Sequence, residues 1–261
     1  MNPSPVGMRC PECASERTRV VEARSIGRQS MLEVAPATMI LIAVNVLVFF
    51  GEILTGMGAS SVQSSSQGSL LDNGAFNGPL VASGEWWRIV SSGFLHLSIL
   101  HVGMNMLLLY LLGNLLEPAI GTLRFVVIYF TSLVAGSLGS LIVEPTVSAA
   151  GASGAVFGLM GAALVASRSR GLNPFESGIG GLIILNLIIT FAVPGISKGG
   201  HLGGLVGGLI AGALIFELDE KRQIFGRNRW LAPAIGIALG VGYFAATIAL
   251  AVDKFPLAAS L

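Results

Sequence analysis

Residues 201–208 read His201-Leu202-Gly203-Gly204-Leu205-Val206-Gly207-Gly208, and the run stays apolar to Phe216. His201, Gly204 and Gly208 are spaced i, i+3, i+7 and share one face of a helix. Gly204 and Gly208 form a Gly-x-x-x-Gly surface, which lets helix backbones approach closely inside a membrane bundle. A second such surface begins at Ser153. Residues 151–158 read Gly151-Ala152-Ser153-Gly154-Ala155-Val156-Phe157-Gly158, so Gly154 and Gly158 repeat the spacing. The two stretches together predict two glycine-faced helices meeting with Ser153 and His201 at one end.

The rest of the chain fits a helical membrane bundle. Of 261 residues, 53% are hydrophobic and 11% charged, against about 25% charged in a soluble domain. Glycine is abundant, at 35 residues. A spanning helix needs about 20 mostly apolar residues, and seven candidates are present, at residues 37–54, 96–116, 125–143, 149–166, 177–193, 201–216 and 231–252. The expected class is all-α and polytopic. The net charge of +1 carries no nucleic-acid signature. No cleavable signal peptide is expected, because the first 36 residues contain no apolar core.

Basic residues orient the bundle. With a cytoplasmic N-terminus, Arg9, Arg17, Arg19, Arg24, Arg28, Arg124, Arg168, Arg170, Lys221, Arg222, Arg227 and Arg229 fall inside. Only Arg88, Lys198 and Lys254 fall outside. The second, fourth and sixth spans then start at the outer face. The first external connection is rich in Ser and Gln over residues 59–69, a flexible composition. Its Glu85-Trp86-Trp87-Arg88 stretch reads as a headgroup-level anchor as readily as a substrate contact.

Orientation puts the chemistry-bearing residues at one depth. His96 and His101 lie at the start of the second span, Ser153 at the start of the fourth and His201 at the start of the sixth. Each has a plainer explanation: Ser and Gly are common at helix contacts, and a lone His can simply bond a neighbouring helix. Their joint placement favours a dyad, with a serine hydroxyl activated by a histidine base. A helix N-terminus at Ser153 offers free N–H donors to an oxyanion. His101 and Asn105 are i, i+4 and can donate to the same oxyanion. His96 is expected to tie the external loop to the bundle. Asp72, Asp219 and Asp253 lie in loops or tails, so a Ser–His–Asp triad is unsupported. The same lack argues against an aspartyl intramembrane protease. No His is followed by Glu, so the zinc-protease pattern is missing and no catalytic metal is expected. Cys10 and Cys13 make half of a zinc ribbon, and four ligands are needed for a closed site. The pair reads as a remnant, and no metal or cofactor is expected.

Taken together, Trp87-Arg88, His96 through Asn105, Gly151-Ala152-Ser153-Gly154, and His201 with Gly204 and Gly208 resemble a rhomboid intramembrane serine protease. The resemblance spans about residues 37–217 and implies a six-helix core plus one extra C-terminal helix. The expected organisation is residues 1–36 as a cytoplasmic segment, 37–217 as the core, and 218–261 as linker, seventh helix and tail. It implies Ser153 as nucleophile and His201 as general base. It assigns His101, Asn105 and the Ser153 N–H to the oxyanion site, with Arg88, His96, Gly151, Gly154, Phe157, Gly204 and Gly208 in support. Phe157 stands where some relatives carry a Tyr under the catalytic His. The implied partners are the lipid bilayer of a cell membrane and transmembrane protein substrates, cut near the outer face, with small side chains often preferred before the scissile bond. The rival reading is a non-catalytic rhomboid-like factor that binds membrane proteins. Such a factor typically lacks the Ser or the His, and both are present here.

Overall fold

The structure is a computed structural model that describes residues 2–4, 7–9, 35–55, 69–220, 230–256 and 258. It falls into two compact units, Met1–Val34 and Ala35–Leu261. In the first, strands β1 (Asn2–Ser4) and β2 (Gly7–Arg9) pair antiparallel, Asn2 opposite Arg9. Cys10, Cys13, most of the Ser/Gln-rich loop and the basic stretch around Lys221 lie outside the described residues.

The second unit is helical. Its elements are α1 (Pro36–Leu54), α2 (Leu70–Gly74), α3 (Gly78–Ala82), α4 (Arg88–Ser91), α5 (Ile99–Ile120), α6 (Thr122–Val143), α7 (Ser153–Ser169), α8 (Ile179–Ala192), α9 (Lys198–Glu220) and α10 (Leu231–Lys254). Each of the seven expected spans corresponds to one of the long helices. Five of them, α1, α5, α6, α9 and α10, are long and apolar enough to cross a membrane. The other two are shorter. At a rise of about 1.5 Å per residue, the 17-residue α7 and the 14-residue α8 fall below the usual spanning length. α7 tolerates this because α6, α5 and α9 surround it, and most of its side chains are buried. Leu47, Leu100, Ile188 and Val241, by contrast, are exposed on the outside of the bundle, an apolar surface that suits lipid rather than water.

Several boundaries differ from the sequence reading, each for a local reason. α5 starts at Ile99 rather than His96, because the Ser98 side chain caps it by accepting from the His101 N–H. It runs past Glu117 and Pro118 to Ile120, because the Glu117 carboxylate caps another helix. The N–H groups of Ala37 and Thr38 both donate to it at 2.9 Å, satisfying orphan donors at the start of α1. α7 starts at Ser153 rather than near 149. Ala149 pairs with Phe76 in an antiparallel bridge, and Gly151 takes φ +136, outside helical space. α9 starts three residues before His201, with Ser197 Oγ accepting from the Gly200 N–H.

Small residues set the helix order. On one face of α9, Gly204 and Gly208 lie directly on the backbone of Gly154 and Gly158 of α7. On another, Gly199 and Gly203 lie on the backbone of α6 at Gly139 and Ala135. The first pairing runs parallel and the second antiparallel, as expected for the fourth, sixth and third helices of a serial bundle. α10 runs parallel to α6: Thr131 Oγ1 donates to the Gly236 carbonyl at 3.0 Å, and Lys254 Nζ donates to the Leu141 carbonyl at 3.3 Å.

Candidate active site

Three helix starts meet at one end of the bundle. Ser153 is the first residue of α7, His201 the fourth of α9, and His101 the third of α5. The segment ahead of α7 is held by backbone bonds. Phe76 and Ala149 exchange both bonds, at 2.8 and 3.0 Å, and the Gly151 N–H donates to the Ser92 carbonyl at 2.9 Å. No side chain caps α7. Its first turn therefore keeps free N–H groups beside the Ser153 hydroxyl, at the positive end of the helix dipole.

His201 is fixed on two sides. Its ring stacks on Phe157 with centroids 4.2 Å apart and planes 23° from parallel. Phe157 is four residues after Ser153, so Ser153 projects from the same face of α7 one turn nearer the helix start. The second restraint comes from α8, where Thr190 Oγ1 lies 2.7 Å from His201 Nδ1. Nε2 is left as the nitrogen free to serve a reacting group. No hydrogen bond joins Ser153 to His201 among the described residues. The glycine crossing of α7 with α9 and the Phe157 platform put both residues at the same end of that crossing.

His101 approaches from α5. A Cβ built on Gly151 would lie 2.8 Å from His101 Nε2 and 3.5 Å from Ser153 Oγ. Glycine is thus required at 151 both by its positive φ and by the imidazole against it. The Leu97 N–H donates to His101 Nδ1 at 3.4 Å, which makes Nε2 the protonated nitrogen, a donor facing the Ser153 region. Asn105 is buried, and one of its amide hydrogens goes to the His101 carbonyl at 3.0 Å, leaving one hydrogen for another acceptor. A cavity of about 40 Å³ lies beside Ser153, with walls that include Gly136, Ser137, Gly151, Gly154 and Ser197.

His96 is not part of the α5 helix. It is fully buried, its N–H donates to both Glu52 oxygens at 3.0 and 3.1 Å, and its ring meets His101 edge-on at 5.1 Å. Arg88 does not point outward from the bundle. It is 4% exposed, pairs with Glu85, and donates from Nη1 to the Asp72 and Ala75 carbonyls at 2.8 Å each. Its cation ties together residues 72, 75 and 85 of the connection between α1 and α5, while Trp86 and Trp87 remain exposed. The sequence reading gave no role to Thr190, Glu52 or Ser197. Thr190 and Glu52 were visible as polar residues inside apolar helices, which is a functional signal in itself.

A rhomboid domain family model matches residues 83–218. The chain is 37% identical over 209 residues to Rhomboid protease GluP of Bacillus subtilis (strain 168), covering 79% of this chain and 39% of that protein. It is 29% identical over 188 residues to Rhomboid-related protein 2 of Mus musculus, covering 64% of this chain and 62% of that protein. It is also similar to Inactive RHOMBOID-like protein 8 of Arabidopsis thaliana, 33% identical over 111 residues, or 42% of this chain and 31% of that protein. The chain spans less than two thirds of the length of these relatives.

Proposed function

The chain belongs to the rhomboid family of multi-pass membrane proteins, and from that premise we propose that it is an intramembrane serine endopeptidase in which Ser153 is the nucleophile and His201 the base. One observation carries the reading: at the uncapped start of α7, Ser153 lies one turn above the ring on which His201 stacks. His201 Nε2 takes the Ser153 proton as Oγ attacks the scissile carbonyl. Catalytic hydrogen bonds are often long before substrate arrives and tighten in the complex. The tetrahedral oxyanion accepts from the Ser153 N–H, His101 Nε2–H and the remaining Asn105 hydrogen. His201 then protonates the leaving amine, and water hydrolyses the acyl-enzyme.

The substrates are membrane proteins cut at or near a transmembrane helix. A helical carbonyl is already hydrogen-bonded, so the segment must unwind locally, which Gly or Pro eases. The small, glycine- and serine-walled cavity beside Ser153 suits a small side chain next to the scissile bond. The basic-residue bias puts the N-terminus in the cytoplasm and the site toward the outer face of a cell membrane.

The test is labelling with a serine-directed fluorophosphonate in detergent, with the modified residue mapped. The expected result is a single adduct on Ser153, lost in His201→Ala. A folded protein that takes no label on Ser153 would instead be a membrane-protein binding factor.

A further inference from the structure

We propose that Thr190 is the positioning residue that holds His201 in the one neutral form able to act as a base. The inference deepens the dyad reading and rests on it.

The protons around Thr190 decide the tautomer of His201. Thr190 Oγ1 makes two short contacts, 2.7 Å to the Asn186 carbonyl oxygen and 2.7 Å to His201 Nδ1. Each contact needs one proton between its two heavy atoms, because lone pairs that close repel. The Asn186 carbonyl has no proton to give, so the single hydroxyl proton of Thr190 must lie on that side. The proton of the other contact must then belong to His201 Nδ1. A neutral imidazole carries one N–H. With it on Nδ1, Nε2 is left with a lone pair, the state required to accept the Ser153 proton. In the opposite tautomer Nε2 would carry hydrogen and His201 could not serve.

The surroundings make Thr190 suited to this. It is fully buried, while Ile188, Ile189 and Phe191 beside it on α8 are exposed. The i−4 bond to Asn186 aims the hydroxyl and is local to α8, so the acceptor lone pair is presented whether or not the site is filled. No carboxylate reaches His201 among the described residues, and the orienting part played by an acid in a triad falls here to a hydroxyl.

The experiment reads the tautomer directly. Protein labelled with ¹⁵N-imidazole histidine is reconstituted in detergent, and the His201 signals are assigned by their loss in His201→Gln. Long-range couplings to the ring carbon protons identify which nitrogen bears hydrogen. Wild type and Ser153→Ala are expected to show His201 protonated at Nδ1. Thr190→Val, which keeps the shape of the side chain and loses the hydroxyl, is expected to move the population toward Nε2–H and lower kcat about tenfold with little change in KM. That factor corresponds to about 1.4 kcal/mol, the order of one hydrogen bond. Thr190→Ser is expected to restore both. A wild-type His201 protonated at Nε2, a Thr190→Val protein still protonated at Nδ1, or a shifted tautomer with unchanged kcat each overturns the proposal. Failure of the dyad itself shows elsewhere, as cleavage that survives Ser153→Ala. The wild-type spectrum decides the tautomer even if Thr190→Val does not fold.

Discussion

Gly204→Ala tests whether the crossing of α7 and α9 sets the site. An alanine Cβ at 204 would stand 2.7 Å from the Gly154 carbonyl carbon and 2.9 Å from its Cα, and closer still to the carbonyl oxygen. Optimal separations for such atoms are about 3.5–4.0 Å. The obstacle is backbone, so no rotamer change relieves it, and the two helices must part by about 1 Å. Overpacking of this kind costs about 1–3 kcal/mol. The functional cost is larger, because Gly204 lies one turn below His201 and Gly154 is next to Ser153. A displacement of about 1 Å between reacting groups costs on the order of 100-fold in rate. The expected outcome is a folded protein with a modestly lower unfolding midpoint and cleavage of a single-span test substrate reduced by about two orders of magnitude. Gly103→Ala and Gly181→Ala are the controls: both are helical, and a Cβ at either meets nothing within 4 Å. Exchanging an exposed helical Gly for Ala adds up to about 1 kcal/mol of stability, so these two should be neutral or slightly stabilised, with full activity. A Gly204→Ala protein that cleaves and unfolds like wild type would refute the helix register described above.

Two further outcomes follow from the geometry. Gly151→Ala places a methyl against the His101 ring and forces an L-residue to φ +136, which should abolish fluorophosphonate labelling of Ser153 while the bundle still folds; retained labelling would remove His101 from the site. Arg88→Ala leaves the Asp72 and Ala75 carbonyls without their donor and Glu85 without its ion pair, a loss of about 2 kcal/mol that should appear as faster limited proteolysis within residues 69–98, with Arg88→Lys intermediate because an ammonium cannot reproduce the guanidinium fork.

The helical membrane class was legible in the sequence alone, and Ser153 and His201 stood out in it as candidates for a dyad. The reason is that membranes impose strong local rules. A stretch of about twenty apolar residues satisfies its backbone in the membrane as a helix, a Gly-x-x-x-Gly face lets another helix approach closely, and serial crossings alternate direction. The positions of His101, Ser153 and His201 in the sequence therefore already assign them to one end of the bundle. Contacts between residues far apart in the chain obey no such rule. Glu117 capping α1, His96 tied to Glu52 and Arg88 buried against the carbonyls at the end of α2 all depend on side chains meeting across 13 to 80 residues of sequence. Thr190 shows the same limit at the site. On its own helix it is an ordinary threonine bonded to the carbonyl four residues back. Only the packing of α8 beside the start of α9 turns its lone pair toward His201 and so decides which nitrogen of the imidazole is free.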